Sequence, residues 1–535
     1  MGSRIRTNDL IRPALGRQLY YPRSWPEKKF EFEGLKMEGS PSIIKISIKS
    51  RSLDTKCSQL RPSPTTPPIT RQTLNPTPFV EATPQSSLSV LPSSKMGIDL
   101  ALSRVLRLIP SSSLAWRALH VAGTNGKGSV CAYLSSALTS SGIRTGRFTS
   151  PHLIDRWDSI SLNDKAVDSA LFHETEALVK KRNQDENIGA TEFEVLTATA
   201  FEIFSKEKVE LAVVEVGLGG RLDATNVIKN PLVTVLTKIG MDHVDLLGDT
   251  VEKVAREKAG IMKPGAPCVV DASNPEGALS VINEVKEEVG AGELIIAAPE
   301  VDDVEDVPPS GDASAPLPST TPNLVKIKTP TFGLQSYVPS LLGKYQHSNL
   351  ACAIHALSVA AKTYPQITAE TVKKGVSEAK NPGRLQWITV KSSIGKKQEM
   401  IIDGAHNPEA AVALGQFVDE NLRARIQQRN VTWVVGISHG KDAKAILGEF
   451  LKEGDVVSTV EFGPVDGMPW VKAEESTLLA KEAEKLVGPK GLVRSWGSDL
   501  KGAVQWSCEV GCEGPIVIAG SLYLAGDVTR LSKAL

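Results

Sequence analysis

The sequence has little of what marks several common classes of protein. Lys plus Arg and Asp plus Glu both total 61, so the formal net charge at pH 7 is zero. That balance gives no electrostatic case for nucleic acid or an anionic membrane as a partner, and a small molecule is expected instead. Cysteine is scarce, with Cys57, Cys131, Cys268, Cys352, Cys508 and Cys512 spread over 535 residues and only the last two close together. No histidine or second cysteine pair stands beside them to complete a zinc site, so they read as reduced thiols of an intracellular protein. Long hydrophobic runs are missing too. Each is broken by charge or glycine before the ~20 residues needed to cross a bilayer, and the chain reads as soluble.

Periodicity is absent from the first 95 residues. Pro, Ser and Thr dominate "RPSPTTPPITRQTLNPTPFVEATPQSSLSVLPSSK", which predicts disorder. Arg4, Arg6, Arg12, Arg17 and Arg23 face the single acid Asp9 in the first 25 residues. That bias is shared with mitochondrial transit peptides, although Glu and Lys follow at once. The alternative is that Met96 is the true start, because "MGIDLALSRVLRLI" begins an amphipathic helix there. Residues 1–95 are therefore a disordered extension, a transit segment or a misassigned start. The compartment is cytoplasmic, or mitochondrial if the arginines act as a signal, and a monomer is expected.

What is present is an alternation of short apolar runs and helical segments, the pattern of a parallel sheet covered by helices. "ALHVAG", "ELAVVEVG" and "PLVTVLT" are near-continuous apolar runs, as in strands buried on both faces. At 535 residues the chain exceeds one core, since cores stop growing at roughly 250 to 300 residues. The fold class is α/β. A P-loop-type parallel-sheet ATPase domain is predicted over residues 96–340, carrying a flexible acidic, Pro-rich insertion at 297–322. A smaller Rossmann-like α/β domain is predicted over 341–535, with strands at "EMIIDGA", "VTWVVGI" and "GPIVIAG".

Ligands of open α/β sheets collect at the carboxyl ends of strands, where loops and helix N-termini converge. There stands "HVAGTNGKGSV", whose Gly123 precedes Gly126 by three residues and whose Gly128 separates Lys127 from Ser129. This is not the usual G-x-x-x-x-G-K-[ST] loop. Its glycines still let backbone N–H groups approach phosphate, with Lys127 as a mobile cation and Ser129 opening a helix. A plain tight turn is the bland alternative. Two further strand ends, "EVGLGGRLDATN" and "TKIGMDHVDLLG", bring Glu215, Asp223, Asp242 and His243 to the same edge. An ionised Glu215 inside an apolar strand is costly unless a cation accepts it, which fits a divalent metal or a structural salt bridge.

"HVAGTNGKGSVCAYL", "TSPHL", "EVGLGGRLDATNV", "GMDHVDLLGDTVEKVAREKAGIMKPG", "NPGRLQ", "DGAHNP" and "GSLYLAG" follow one another over residues 96 to 535. In this order they resemble the folylpolyglutamate synthase and dihydrofolate synthase branch of the Mur ligases. The resemblance implies an ATP-dependent amide ligase that phosphorylates a carboxylate and passes the acyl group to the amine of L-glutamate. It implies an ATP loop of Gly123, Thr124, Asn125, Gly126, Lys127, Gly128 and Ser129, with Lys127 on the transferred phosphate. It also implies Mg²⁺ held by Ser150 and Glu215, with His243 sharing Glu215 and helping to hold a second ion. Lys258 aligns with a lysine that family members carbamylate with CO₂, although position alone would make it an ordinary surface helix lysine. Arg384 is implied as a catalytic arginine reaching the ATP phosphates, with Asp403 and His406 near the nucleotide and Asn349 near adenine.

Within that branch, "GGRLDATN" and "GTNGKGSV" are closer to the dihydrofolate synthases, in particular the fungal ones, than to eukaryotic folylpolyglutamate synthases. Dihydropteroate is thus the expected acceptor, a reduced folate or a bifunctional enzyme being the alternative. The Asp matching Asp223 contacts the pterin in such relatives. Phe193 of "TEFEVLTATAF" either stacks on the pterin or packs in the core of an amphipathic helix. From a different class, a P-loop phosphotransferase or NTPase would use Lys127 and Ser129 without forming an amide.

Overall fold

The computed structural model describes residues 102–110, 114–300, 324–391, 395, 397–424, 430–511 and 514–534. The expected extension at 1–95 lies outside these residues, as does the expected insertion at 297–322 apart from its first four residues.

Eight strands form the first sheet: β1 (Arg117–Ala122), β2 (Thr145–Phe148), β3 (Ile160–Leu162), β4 (Lys165–Ala166), β5 (Leu211–Glu215), β6 (Val233–Leu236), β7 (Cys268–Asp271) and β8 (Leu294–Ala297). Their spatial order is β4, β3, β2, β5, β1, β6, β7, β8. Every pair from β2 to β8 is parallel, while β3 and β4 add an antiparallel edge. All residues of β5 and β6 are buried, as their unbroken apolar sequences predict for strands covered on both faces. The central strand β1 pairs with β5 and β6, with Val121 opposite Glu215 and Ala122 opposite Leu236. That register puts the ends of three neighbouring strands level, and the glycine-rich loop starts one residue beyond.

The loop feeds the helix Lys127–Ser140, whose residues Ser129 to Leu138 are all buried. A helix apolar on so much of its circumference needs cover on its outer side as well as from the sheet. The helices Gln346–Ala361 and Ala369–Glu378 provide it, through a core that joins Tyr133, Leu134 and Leu138 to Leu350, Ile354, Val372 and Val376. A Cβ at Gly375 would stand 2.4 Å from Ala137 Cα, so the third helix approaches to backbone contact. These two helices, which follow the 340/341 boundary expected from the sequence, bury their apolar faces against the phosphate-loop helix and the first sheet. A hairpin of β9 (Val325–Thr329) and β10 (Gly333–Tyr337) precedes them.

The second sheet contains β11 (Gln386–Lys391), β12 (Lys397–Ile402), β13 (Thr432–Val435), β14 (Val456–Thr459), β15 (Leu492–Ser495) and β16 (Ile516–Ala519). Its order is β11, β12, β16, β13, β14, β15, parallel except for the β11–β12 pair. The strands expected at "EMIIDGA", "VTWVVGI" and "GPIVIAG" are β12, β13 and β16, the centre of this sheet. Among the described residues no helix is long and apolar enough to cross a membrane.

Candidate active site

A cavity of about 620 Å³ opens where the loops after β1, β2, β5 and β6 meet the second domain. Gly123 through Ser129 line it, together with Ser150, Glu215, His243, Lys258, Asn349, Arg384, Asp403 and His406. These are all the expected nucleotide and metal residues, drawn into one site from positions nearly 300 residues apart. Phe193 and Asp223 are not among the lining residues.

The phosphate loop is fixed by bonds to the segment after β6. Lys238 O accepts from Thr124 N at 2.8 Å and from Asn125 N at 3.1 Å. Thr124 Oγ1 donates to Gly240 O at 2.9 Å, and Thr237 Oγ1 to Asn125 O at 2.8 Å. Gly126, at φ 91°, caps the following helix in the left-handed region, and a Cβ there would meet Asn349 Oδ1 at 2.1 Å. Only glycine satisfies both demands. Lys127 Nζ donates to Gly123 O and Thr124 O at 3.1 and 3.2 Å, which folds the cation back over its own loop. Ser129 Oγ accepts from Gln346 Nε2 at 3.1 Å and Asn381 Nδ2 at 3.2 Å, two contacts that the motif gave no hint of.

Glu215 is 5 % exposed at the end of β5. Burial pushes its carboxyl up to about 7, against the pull of Lys127, Arg384, the Ser150 backbone N–H and Arg147. A Cβ on Gly128 would stand 3.7 Å from Glu215 Oε2, so the carboxylate lies directly against the phosphate loop. A buried acid surrounded by cations, beside the Ser150 segment, presents hard oxygen donors and suits a divalent cation that prefers oxygen. Among the described residues no three His, Cys, Asp or Glu side chains form a metal cluster by themselves. His243 stands beside Asp242, Nε2 to Oδ2 3.9 Å. Its φ of 53° places a non-glycine residue in the left-handed region, a strain often found at working sites.

Lys258 departs from the surface lysine its helix position suggests. It is 5 % exposed and donates to Gly123 O at 2.8 Å. Burial, reinforced by nearby Lys127, brings its ammonium down to about 7. Arg384 precedes Leu385, which is held at φ 40° by a bond from its N–H to Asp403 Oδ2 at 2.9 Å. Asp403 Oδ1 accepts from Ala405 N at 2.8 Å, so this aspartate shapes the turn that aims Arg384 into the cavity.

Asp223 and Phe193, for which the motifs imply pterin contacts, lie just behind the cavity wall. The carboxylate of Asp223 is buried and consumed locally, accepting from Thr225 N at 3.0 Å, Thr225 Oγ1 at 2.5 Å and Leu218 N at 2.8 Å. Thr225 in turn meets His120 Nε2 of β1 at 2.8 Å. Asp223 thus shapes the Gly217–Gly219 segment that does line the cavity. Phe193 packs beside Phe148 at a centroid distance of 6.1 Å, and its ring fills the space a Cβ on Gly217 would need.

Arg147, Lys238, Asn381 and Glu409 also line the cavity. Arg147 had a weak signal, a charge inside the short strand "TGRF". The others gave none.

Residues 121–357 match the family model of the Mur ligase middle domain, and residues 386–531 match that of the dihydrofolate synthetase C-terminal domain. The probable dihydrofolate synthetase of Schizosaccharomyces pombe is 36 % identical over 446 residues, covering 82 % of this chain and 99 % of that protein. The chain belongs to the folylpolyglutamate synthase and dihydrofolate synthase branch of the Mur ligases. The dihydrofolate synthetase of Saccharomyces cerevisiae is 34 % identical to this Mur ligase over 455 residues, with 82 % and 99 % coverage. The bifunctional folylpolyglutamate synthase/dihydrofolate synthase of Yersinia pestis, solved with AMPPNP and a Mn ion, superposes with a TM-score of 0.62 at 27 % identity. That match covers 82 % of this chain and 95 % of that one.

Proposed function

We propose that this ligase joins L-glutamate to dihydropteroate at the expense of ATP, giving dihydrofolate. The carrying observation is the convergence of Lys127, Arg384, Glu215 and Ser150 in one cavity between the two domains. The fungal relatives, both dihydrofolate synthetases by name, favour dihydropteroate as the acceptor.

An oxygen of the pterin-borne carboxylate attacks the γ-phosphorus of ATP. The bond to ADP breaks and an acyl phosphate forms. The amine of glutamate then attacks the acyl carbon, and the tetrahedral intermediate loses a proton and expels inorganic phosphate. Bringing a carboxylate to a triphosphate gathers negative charge in a small volume, so the site must supply preorganised positive charge. Lys127 swings from its loop carbonyls to the transferred phosphate, and Arg384 reaches the phosphates from the second domain. The loop N–H groups and the start of helix Lys127–Ser140 complete the cradle. Asn349, packed against Gly126, stands at the adenine end, with His406 on the second-domain side of the nucleotide.

Mg²⁺ is the proposed divalent ion, and Ser150 and Glu215 are the residues that would hold it, with His243 beside a second. When bound, it spreads the negative charge of the phosphates. Lys258 is an amine for part of its time at neutral pH, so CO₂ can convert it to a carbamate, an added anion next to the loop. The walls contributed by both domains keep water from the acyl phosphate.

The full chain, given Mg-ATP and glutamate, is offered dihydropteroate or tetrahydrofolate separately, with products identified by mass spectrometry. Dihydrofolate from the first acceptor is the expected result. Amide formation with tetrahydrofolate alone would overturn the acceptor, and ATP consumption without any amide would point to a plain NTPase.

A further inference from the structure

Asp242 sits in the loop after β6, on the first domain, with its side chain only 12 % exposed. The cation bound to it comes from the other domain. Lys441, in the loop after β13, donates to Asp242 Oδ1 at 2.7 Å. His406, also on the second domain, places Nε2 3.8 Å from Asp242 Oδ2. His243, the neighbour in sequence, places its Nε2 at 3.9 Å from the same oxygen. Lys441 thereby grips a cavity-lining carboxylate from across the cleft, while His406, lowered to about 4 chiefly by burial, stands beside it uncharged near neutral pH. A second polar contact lies close by, where Asn125 of the phosphate loop donates to Glu409 Oε2 at 2.9 Å and accepts from Asn407 Nδ2 at 3.1 Å.

An ion pair between two exposed side chains contributes little. This pair differs because the aspartate is largely withdrawn from water and because its halves belong to separate domains. Parting the domains strips Asp242 of the Lys441 ammonium. Closing them neutralises an acid that otherwise stands beside the anionic phosphates. We propose that Lys441 is a positioning residue, which latches the second domain onto Asp242 and so holds the nucleotide cavity closed. Lys441 does not line the cavity, so its influence on the nucleotide passes through Asp242 and through the domain position. This inference deepens the proposed function and rests on the nucleotide occupying that cavity.

The latch has a signature in binding. If only the closed form holds the nucleotide well, apparent affinity scales with the closed fraction, and breaking the latch lowers that fraction. The test is a double-mutant cycle on the full chain, with calorimetric binding of AMPPNP and Mg²⁺ to wild type, Lys441→Met, Asp242→Asn and the double variant. Each single change is expected to weaken binding about tenfold, with the double no weaker than either single beyond about twofold, because the pair can be broken only once. Lys441→Arg, which keeps the charge, is expected to bind within about threefold of wild type.

Wild-type affinity in Lys441→Met, or losses that multiply in the double variant, would overturn the latch. So would Lys441→Arg binding as poorly as Lys441→Met, which would mean a packing role instead of a charge. AMPPNP binding requires no amide formation. A wild type that binds it but makes no dihydrofolate therefore sinks the functional reading while the cycle still decides the latch. A wild type that binds no nucleotide overturns both.

Discussion

Lys258 Nζ donates to Gly123 O at 2.8 Å, so a buried lysine of the helix Val251–Ala259 is tied to the first residue of the phosphate loop. The contact joins the group proposed for carbamylation to the backbone that cradles the phosphate. The burial of Lys258 also makes stability depend on pH in a definite direction.

Burial holds Lys258 near 7, against 10.5 for an unperturbed lysine. Between those values the unfolded chain carries a proton that the folded chain lacks, so this group's contribution to stability rises with pH across that window. Below 7 both states are protonated and the full cost of burying the cation is felt. Lys258→Met removes that cost. Its melting temperature should exceed that of wild type most at pH 7 and below, with the difference shrinking toward pH 10.5, as followed by scanning calorimetry. Turnover should fall in Lys258→Ala and recover in part when short carboxylates supply the missing anion. A wild-type rate in that variant without any addition would contradict the carbamate.

Glu215→Gln removes a charge while keeping volume. Turnover at saturating substrate should drop by about a hundredfold or more, as when one preorganised electrostatic partner is lost. The Glu215 carboxyl is raised from 4.5 to about 7. In that window the folded chain holds a proton that the unfolded one has released, so the contribution of Glu215 to stability declines as pH rises. The stability advantage of the Gln variant should therefore grow from pH 4.5 to 7 and then level off. Near-normal turnover would refute the metal role.

Gly126 and Gly128 should respond differently to alanine. At Gly126 the new Cβ meets Asn349 Oδ1 at 2.1 Å on a backbone at φ 91°, whereas at Gly128 its nearest neighbours are 3.7 Å away. Left-handed backbone alone costs an alanine about 1–2 kcal/mol. Gly126→Ala should lower the melting temperature and abolish AMPPNP binding, while Gly128→Ala should fold like wild type in the same measurements.

Asp223→Asn is expected to act on the fold and not on pterin recognition. It replaces one of the oxygens that accept from Thr225 and Leu218, leaving a buried donor or acceptor unpaired at a cost of about 1–3 kcal/mol. Denaturant unfolding should show that loss. The preference for dihydropteroate over tetrahydrofolate should stay within about threefold; a larger change would restore a direct pterin contact.

Much of this was legible because local chemistry leaves a local trace. The unbroken apolar runs of β1, β5 and β6 could only be strands covered on both faces, and a polar loop after each places its residues at one edge of a parallel sheet. Glu215, Lys127 and His243 were found in this way. Lys258 and Arg384 were reached through the motifs, since neither stands out by composition. The packing of helix Gln346–Ala361 on the phosphate-loop helix left no such trace, because an apolar face announces that it will be buried but not against what. For Asp223 and Phe193 the sequence leaves two environments open. A carboxylate and an aromatic ring near a site look alike whether they meet a ligand or their own neighbours.

By itself the sequence determined the two-domain α/β plan, the phosphate loop and the chemistry of its charges, since these depend on residue type, spacing and short-range backbone preference. The tertiary structure alone decided that Lys258 is buried, that Ser129 is held by Gln346 and Asn381, and that Asp242 pairs with Lys441. Each joins residues separated by more than a hundred positions. The pKa of a lysine or the partner of an aspartate is set by desolvation and by charges within a few ångströms, which exist only once the chain has folded.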